Sequence, residues 1–481
     1  MPSTSDGPAS PRRTGGGAVA AAVLLFAASL ALFWPGYAMY DTVAQYGQVL
    51  AGEYEDWHPP TMARMWALLG GAWAGAWPML ALQLALYWLG LGLIAAAARG
   101  RTAAAVLAIG AWPLFLGWQG VVLKDAQMAG ALLAATGLVA WWRLRGRRVP
   151  WPVAAGAGLL IGYAVLVRAN AVFAGVPLAV LLAPRPGGGA GQGLALRGGM
   201  VAVATLAVLA LLSPVNHALL GAAPTGVERT QALYDLAGVA VRLPPGAAHT
   251  GLLPAEVAQI AARRCVRPFF WDPLGEADRC NASVERLRHV PVGRVYLTLA
   301  DAVLHHPLAY AEQRLAHLNS TERWWVPFRW PGAAPPRASE PNDEGLGSPG
   351  RAAAGWQWLA GWLAETPLGW PVTWLALALA GLAVAVGRPA SGARDVSLAL
   401  LGSALCLEAS FAVLSIASDL RYHLWPMIAA ALATALLVGE ARPSRRALLA
   451  GGVALGLVVA VGLVARLVLP LPPQSYAGML G

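Results

Sequence analysis

A handful of ionisable residues interrupt long apolar stretches of this chain, and their types suit one kind of chemistry. Asp41 follows an apolar run in Tyr40-Asp41-Thr42, and Glu53, Glu55, Asp56 and His58 precede Pro59-Pro60. Lys124-Asp125 and Arg168 sit between apolar segments, as does the Ser418-Asp419-Leu420-Arg421-Tyr422-His423 turn. An ionisable side chain near a bilayer costs roughly 2.5–3.5 kcal/mol at a helix centre, so each one needs a reason. A carboxylate there can act as general base and take a proton from an attacking hydroxyl. Guanidinium and ammonium groups at headgroup depth bind phosphate and stabilise it as a leaving group. Arg forks onto two phosphate oxygens, whereas Lys supplies a compact point charge. A phosphate carried on a lipid lies at this depth. An Asp base beside several phosphate-binding cations is what glycosyl transfer from a lipid phosphate requires.

Each residue also has a plainer role open to it. Asp41 can cap the helix that follows, since Asp is favoured at helix starts. Lys124 and Asp125 can form an ion pair at a span end, Arg168 can snorkel between two short helices, Arg421 can be an external anchor, and His58 can belong to a surface turn. Lys124 is nevertheless the only lysine in a chain that otherwise uses Arg. No Walker loop, GxSxG elbow or zinc-ligand spacing occurs.

The elements that must position these residues are membrane helices. Of 481 residues 57% are hydrophobic and 12% charged, about half the charge of a soluble domain. A mean hydropathy of +0.55 with apolar runs of about 20 residues gives an all-α, polytopic membrane bundle. A soluble enzyme and a disordered regulator are excluded. The net charge of +10 is scattered over the ends of the apolar runs, where it sets orientation and offers no nucleic-acid patch.

Residues 1–16 read as a disordered cytoplasmic tail, and 17–213 as an N-terminal transmembrane bundle whose first external loop, 40–78, includes a surface helix at 61–78. Spans fall near 18–40, 79–98, 102–122 and 126–142, followed by a hairpin at 151–183 turning near Arg168, and a span at 195–212. Residues 214–355 form an extracytoplasmic helical loop region, and 356–481 supply spans near 369–387, 396–417, 423–439 and 447–468. Arginine placement puts the N-terminus inside and the C-terminus outside across about 11 spans.

Within the long loop, Leu297–Leu318 reads as one amphipathic helix with His305, His306, Arg314 and His317 on its polar face. Pro331–Arg351 reads as a loose loop. Cys265 and Cys280 can pair in an oxidising compartment. Phe269, Phe270 and Trp271 between them form either an interfacial anchor or a small local core. Cys406 reads as a packing residue.

The order of these segments resembles the GT-C superfamily of integral-membrane glycosyltransferases. Tyr40-Asp41 followed by Asp56-Trp57-His58-Pro59-Pro60 is similar to the superfamily's first external loop. Val122-Leu123-Lys124-Asp125 resembles a second acidic turn, Leu166-Val167-Arg168-Ala169-Asn170 a short Arg-containing turn, and Arg421-Tyr422-His423-Leu424 a late external turn. Leu233-Tyr234-Asp235-Leu236-Ala237-Gly238 resembles a segment of bacterial members.

The resemblance implies a polyprenyl-phosphate sugar donor, inversion at the anomeric carbon and an extracytoplasmic active site on a bacterial plasma membrane. Asp41 becomes the catalytic base, and Lys124, Arg168 and Arg421 the donor-phosphate ligands. His58, Asp125, Tyr422 and Asp235 are further site candidates. Many members carry an acidic pair where this chain has Asp41-Thr42. Some use a divalent metal, which Asp41 and Asp125 could share, though nothing in the sequence demands one. The expected partners are the donor, membrane lipids and a cell-envelope glycan, lipid or protein acceptor, with no nucleic acid. A transporter or flippase of a lipid-linked precursor is the alternative, and it calls for polar residues spread through mid-membrane rather than gathered on one face. A non-catalytic membrane scaffold is the third reading.

Overall fold

Apolar segments in lipid must satisfy their backbone internally, which leaves helices as the economical solution for this sequence. The computed structural model describes residues 15–70, 75–183, 190–244, 246–247 and 249–480. Almost all of the expected tail lies outside them; Gly15 and Gly16 already belong to the first helix.

The first bundle comprises α1 (Gly15–Phe33), α2 (Tyr40–Ala51), α3 (Thr61–Gly70), α4 (Trp77–Ala97), α5 (Arg101–Gly110), α6 (Pro113–Gln119) and α7 (Lys124–Arg143). It continues through α8 (Trp151–Val167), α9 (Val172–Leu182) and α10 (Ala190–Pro214). The middle of the chain forms α11 (Thr230–Ala240), α12 (Pro254–Ala262), α13 (Asn281–Arg288), α14 (Val292–His305) and α15 (Pro307–Glu322). Last come α16 (Arg351–Ala364), α17 (Pro371–Val386), α18 (Gly392–Leu414), α19 (Leu424–Glu440), α20 (Arg445–Val468) and α21 (Tyr476–Leu480).

Among the described residues, six segments are long and apolar enough to cross a membrane: Gly15–Phe33, Trp77–Ala97, Ala195–Leu219, Gly392–Leu414, Leu420–Glu440 and Arg445–Val468. α5 and α6 make a seventh if the pair, bent by 51°, counts as one span. The expected count of about 11 is therefore not reached by length and composition. Trp151–Val167, Ala169–Leu182 and Pro371–Val386 are apolar but have at most 17 residues, below the ~20 that a 30 Å hydrocarbon core asks for. α7 has the length, but Lys124, Asp125 and Arg143 sit at its ends.

α4 and α7 pack most closely because glycine lets their backbones meet. A Cβ on Gly90 would lie 2.3 Å from the backbone of Leu133, and one on Gly137 would lie 2.6 Å from the Gly90 carbonyl. The buried core continues through Tyr87, Trp88, Trp118, Leu132 and Trp425, with α18 and α19 closing the other side.

The middle region departs from expectation in three places. Leu297–Leu318 is two helices, because Pro307 has no N–H to continue the ladder and begins α15 afresh. Arg314 and His317 are buried rather than on a polar face. The 331–351 segment is pinned rather than loose. Its Gly332 carbonyl accepts from Leu420 N–H at 2.9 Å, its Glu340 N–H donates to the Ala38 carbonyl at 2.9 Å, and its Ser339 hydroxyl accepts from Ala38 N–H at 3.0 Å.

Cys265 and Cys280 form a disulfide, buried with Tyr234, Ile260, Trp271 and Leu274. Phe269 and Phe270 pack against Leu480, so these three aromatics build local cores and do not anchor in lipid. Cys406 is exposed on α18 instead of packed.

Candidate functional site

Backbone pairing brings the segment after α1 onto the start of α7. Tyr37 N–H donates to the Gly120 carbonyl at 3.0 Å, and Val122 N–H donates to the Tyr37 carbonyl at 2.9 Å. Thr42 locks this bridge: its buried hydroxyl donates to the Val122 carbonyl at 2.7 Å and accepts from Met39 N–H at 3.0 Å. Thr42 thus fixes the register between the two segments.

Asp41 sits in the first turn of α2 but does not cap it, since the N-cap is Met39. Its carboxylate instead faces the first turn of α7, which carries Lys124 and Asp125. Arg168 arrives from the break between α8 and α9, where its own backbone is extended. Arg421 arrives from the 3-10 turn Leu420–His423 that leads into α19.

Two carboxylates and three cations meet there. Asp41 Oδ2 lies 3.3 Å from an Arg421 guanidinium nitrogen and 3.6 Å from Lys124 Nζ. Asp125 lies 2.9 Å from Arg168 and 3.9 Å from Arg421. Asp419, two residues before Arg421, takes the same guanidinium at 3.1 Å; the sequence places it in the turn, but only the structure makes it a partner. Tyr422 offers its ring to Arg168 at 4.3 Å and to Arg421 at 5.4 Å. His58 Nδ1 lies 2.6 Å from Lys124 Nζ.

Only the edges of this cluster reach solvent: the Asp41, Lys124 and Arg168 side chains are 11–13% exposed, Arg421 8% and Asp125 not at all. The cations determine the charge state of the loop residues. Burial pushes the Asp41 carboxyl up, but Arg421, then Lys124, His58 and Arg168, more than reverse it and hold it well below the usual carboxylate range. Burial, and then the charge on Lys124, lower His58 to about 3, so it is neutral at physiological pH and accepts from the ammonium.

Asp41, Lys124, Asp125, Arg168, Arg421, Tyr422 and His58 therefore share one cluster. Asp235 does not. It is buried on α11, 3.1 Å from Arg314 of α15 and hydrogen-bonded to Gln231. Arg314 also donates to the carbonyls of Ala412 and Ser415, so this pair ties the middle region to α18. Burial raises Asp235 to about 7 even against Arg314. Asp56 is likewise engaged elsewhere, accepting from Thr225 N–H at 2.7 Å, from the Thr225 hydroxyl at 2.6 Å and from His217 at 2.9 Å.

A divalent metal shared by Asp41 and Asp125 fits this arrangement poorly. Both carboxylates already face cations, and an ion between them would have to displace Arg421 from each. Three cations set against Asp41, Asp125 and Asp419 suit an incoming anion instead, which can compete for the guanidinium and ammonium groups.

No family model matches the chain, and no curated protein is similar to it in sequence. Among solved structures, it is similar to the archaeal oligosaccharyltransferase AglB from Archaeoglobus fulgidus, in complex with an inhibitory peptide and a dolichol-phosphate. The identity is 14% and the TM-score 0.38, over 94% of this chain and 55% of that one. This chain thus spans about half the length of that protein, and at this similarity nothing of its activity is carried over.

Proposed function

We propose that the protein is a membrane glycosyltransferase that moves a sugar from a polyprenyl-phosphate donor to a hydroxyl of a cell-envelope glycan, lipid or protein. The observation that supports this most is the meeting of two carboxylates, Asp41 and Asp125, with Lys124, Arg168 and Arg421 from four separate segments. In the proposed reaction the donor phosphate docks on the three cations. The acceptor oxygen attacks the anomeric carbon as the carbon–oxygen bond to phosphate breaks. The acceptor proton passes to Asp41, and polyprenyl phosphate leaves with the bonding electron pair, stabilised by Arg421 and its neighbours. A single displacement of this kind inverts the anomeric centre.

The low pKa of Asp41 gives the base a built-in condition. While Arg421 and Lys124 hold it, the carboxylate is a weak base, because efficient general bases have pKa values near the working pH. A phosphate that draws both cations away leaves Asp41 buried with less compensation, and its pKa rises. Donor binding therefore switches on the base that the transfer step needs. The arginine pattern supports an extracytoplasmic cluster, and a bacterial plasma membrane is part of the same proposal.

The test is binding of polyprenyl phosphate to the purified protein by native mass spectrometry, with Arg421→Ala and Lys124→Ala beside wild type. Specific binding weakened by both substitutions is expected. Binding no tighter than that of an ordinary anionic lipid overturns the donor assignment. A proteoliposome flux assay separates transfer from flipping, since a transferase moves no lipid precursor across the bilayer.

A further inference from the structure

A second cluster of buried acids lies beside the first and takes no part in the proposed reaction. Glu322 at the end of α15, Glu408 within α18 and His423 in the turn before α19 each bring one ligand atom within 4.8 Å of the others. All three are buried, with exposures of 5%, 3% and 0%. His423 Nδ1 lies 2.8 and 2.9 Å from the two oxygens of Glu408. Among the described residues, the Glu408 carboxyl is what Glu322 has within hydrogen-bond reach, with no N–H or hydroxyl donor to either of its oxygens. The Thr321 carbonyl accepts a hydrogen bond from the imidazole and so orients the ring.

The nearest basic residue in sequence does not resolve the charge. Arg323 turns its guanidinium to the carbonyls of Trp330 and Pro331. Two buried carboxyls against one imidazole must either hold a proton between them or take a bound positive charge, because unpaired buried charge is expensive. Two carboxylates and an imidazole also make up a common first-row divalent donor set.

We infer that Glu322, Glu408 and His423 bind a structural divalent cation of the Zn²⁺ or Mn²⁺ class, which clamps α15 to α18 and to the turn that carries Arg421. The site is distinct from Asp41 and Asp125, and the ion touches no reacting group of the proposed transfer. Its role is positional: His423 lies two residues from Arg421, so a bound ion fixes the turn that presents the guanidinium to Asp41.

The experiment strips the purified full chain with a chelator, re-equilibrates it with Zn²⁺ or Mn²⁺ alone, and measures bound metal and thermal unfolding. One ion per chain is expected in wild type, together with a rise in unfolding temperature. Glu408→Gln and His423→Ala should each weaken binding by more than the roughly 10–100-fold that outer-shell partners cost. Asp41→Asn should leave it intact. X-ray absorption on loaded wild type should show nitrogen and oxygen ligands at about 2.0–2.2 Å with a histidine contribution, a readout that needs no variant to fold. Wild type without stoichiometric metal overturns the inference and leaves the two glutamates sharing a proton. Metal lost in Asp41→Asn but kept in Glu408→Gln also overturns it, placing the ion in the first cluster.

Discussion

Asp41→Asn separates binding from catalysis more sharply than any other single change. The substitution keeps shape and removes one negative charge that lies 3.3 Å from Arg421 and 3.6 Å from Lys124. A phosphate docked on those two cations would stand about 5 Å from the Asp41 carboxylate. Two unit charges about 5 Å apart repel by about 3 kcal/mol at an effective dielectric constant near 20. Rearrangement of the flexible lysine takes up part of this. A net gain of about 1–2 kcal/mol tightens polyprenyl phosphate binding by about 10-fold. Transfer should fall in the same variant by roughly 10²–10⁴-fold, the usual worth of a general base. Native mass spectrometry with polyprenyl phosphate reads the first effect, and transfer of a radiolabelled sugar from its polyprenyl phosphate reads the second. Weaker binding in Asp41→Asn would mean that the carboxylate serves to hold the cations in place, and the switch described above would fail. Undiminished transfer would remove Asp41 from the base role altogether.

Thr42→Val strands the Met39 N–H and the Val122 carbonyl, each costing about 1–3 kcal/mol. Its unfolding temperature in detergent should fall while Thr42→Ser stays near wild type, and equal losses would refute the register role. Asp235, raised to about 7 by burial against the pull of Arg314, binds its proton more tightly in the folded than in the unfolded chain, whose value is about 3.9. Its contribution is therefore full below about pH 4 and lost as pH rises to about 7. The stability of wild type relative to Asp235→Asn should decline between about pH 4 and pH 7 and level off above, and a constant difference would refute the shift. Maleimide should label one thiol per chain, Cys406, after unfolding without reduction, and three after reduction and unfolding. Three thiols labelled without reduction would place Cys265 and Cys280 in a reducing environment.

What the sequence discloses and what it hides follows from the range of the forces involved. Charges within apolar sequence are conspicuous, because lipid makes each one expensive, and that cost singles out Asp41, Lys124, Arg168 and Arg421 from one chain. The sidedness pattern then suggests that they could meet. It says nothing of which carboxylate takes which cation: Asp235 carries the same local signal as Asp41, yet Arg314 claims it across 79 positions of sequence. The break at Pro307 was open to a local reading, since a proline between two helical periods ends one and starts the other, and the apolar spacing alone concealed it. The pinning of 331–351 had no local signal at all. Its contacts run mostly through backbone carbonyls and N–H groups, which every residue possesses. The same holds for Glu322, Glu408 and His423, which sit 86 and 15 residues apart in the chain. No ligand spacing could reveal them, because the three are joined only by the packing of α15 against α18 and the turn that follows. Metal motifs readable from sequence sit on one loop or one helix face. A site assembled at the junction of three elements becomes visible only when their burial brings two carboxyls and an imidazole together.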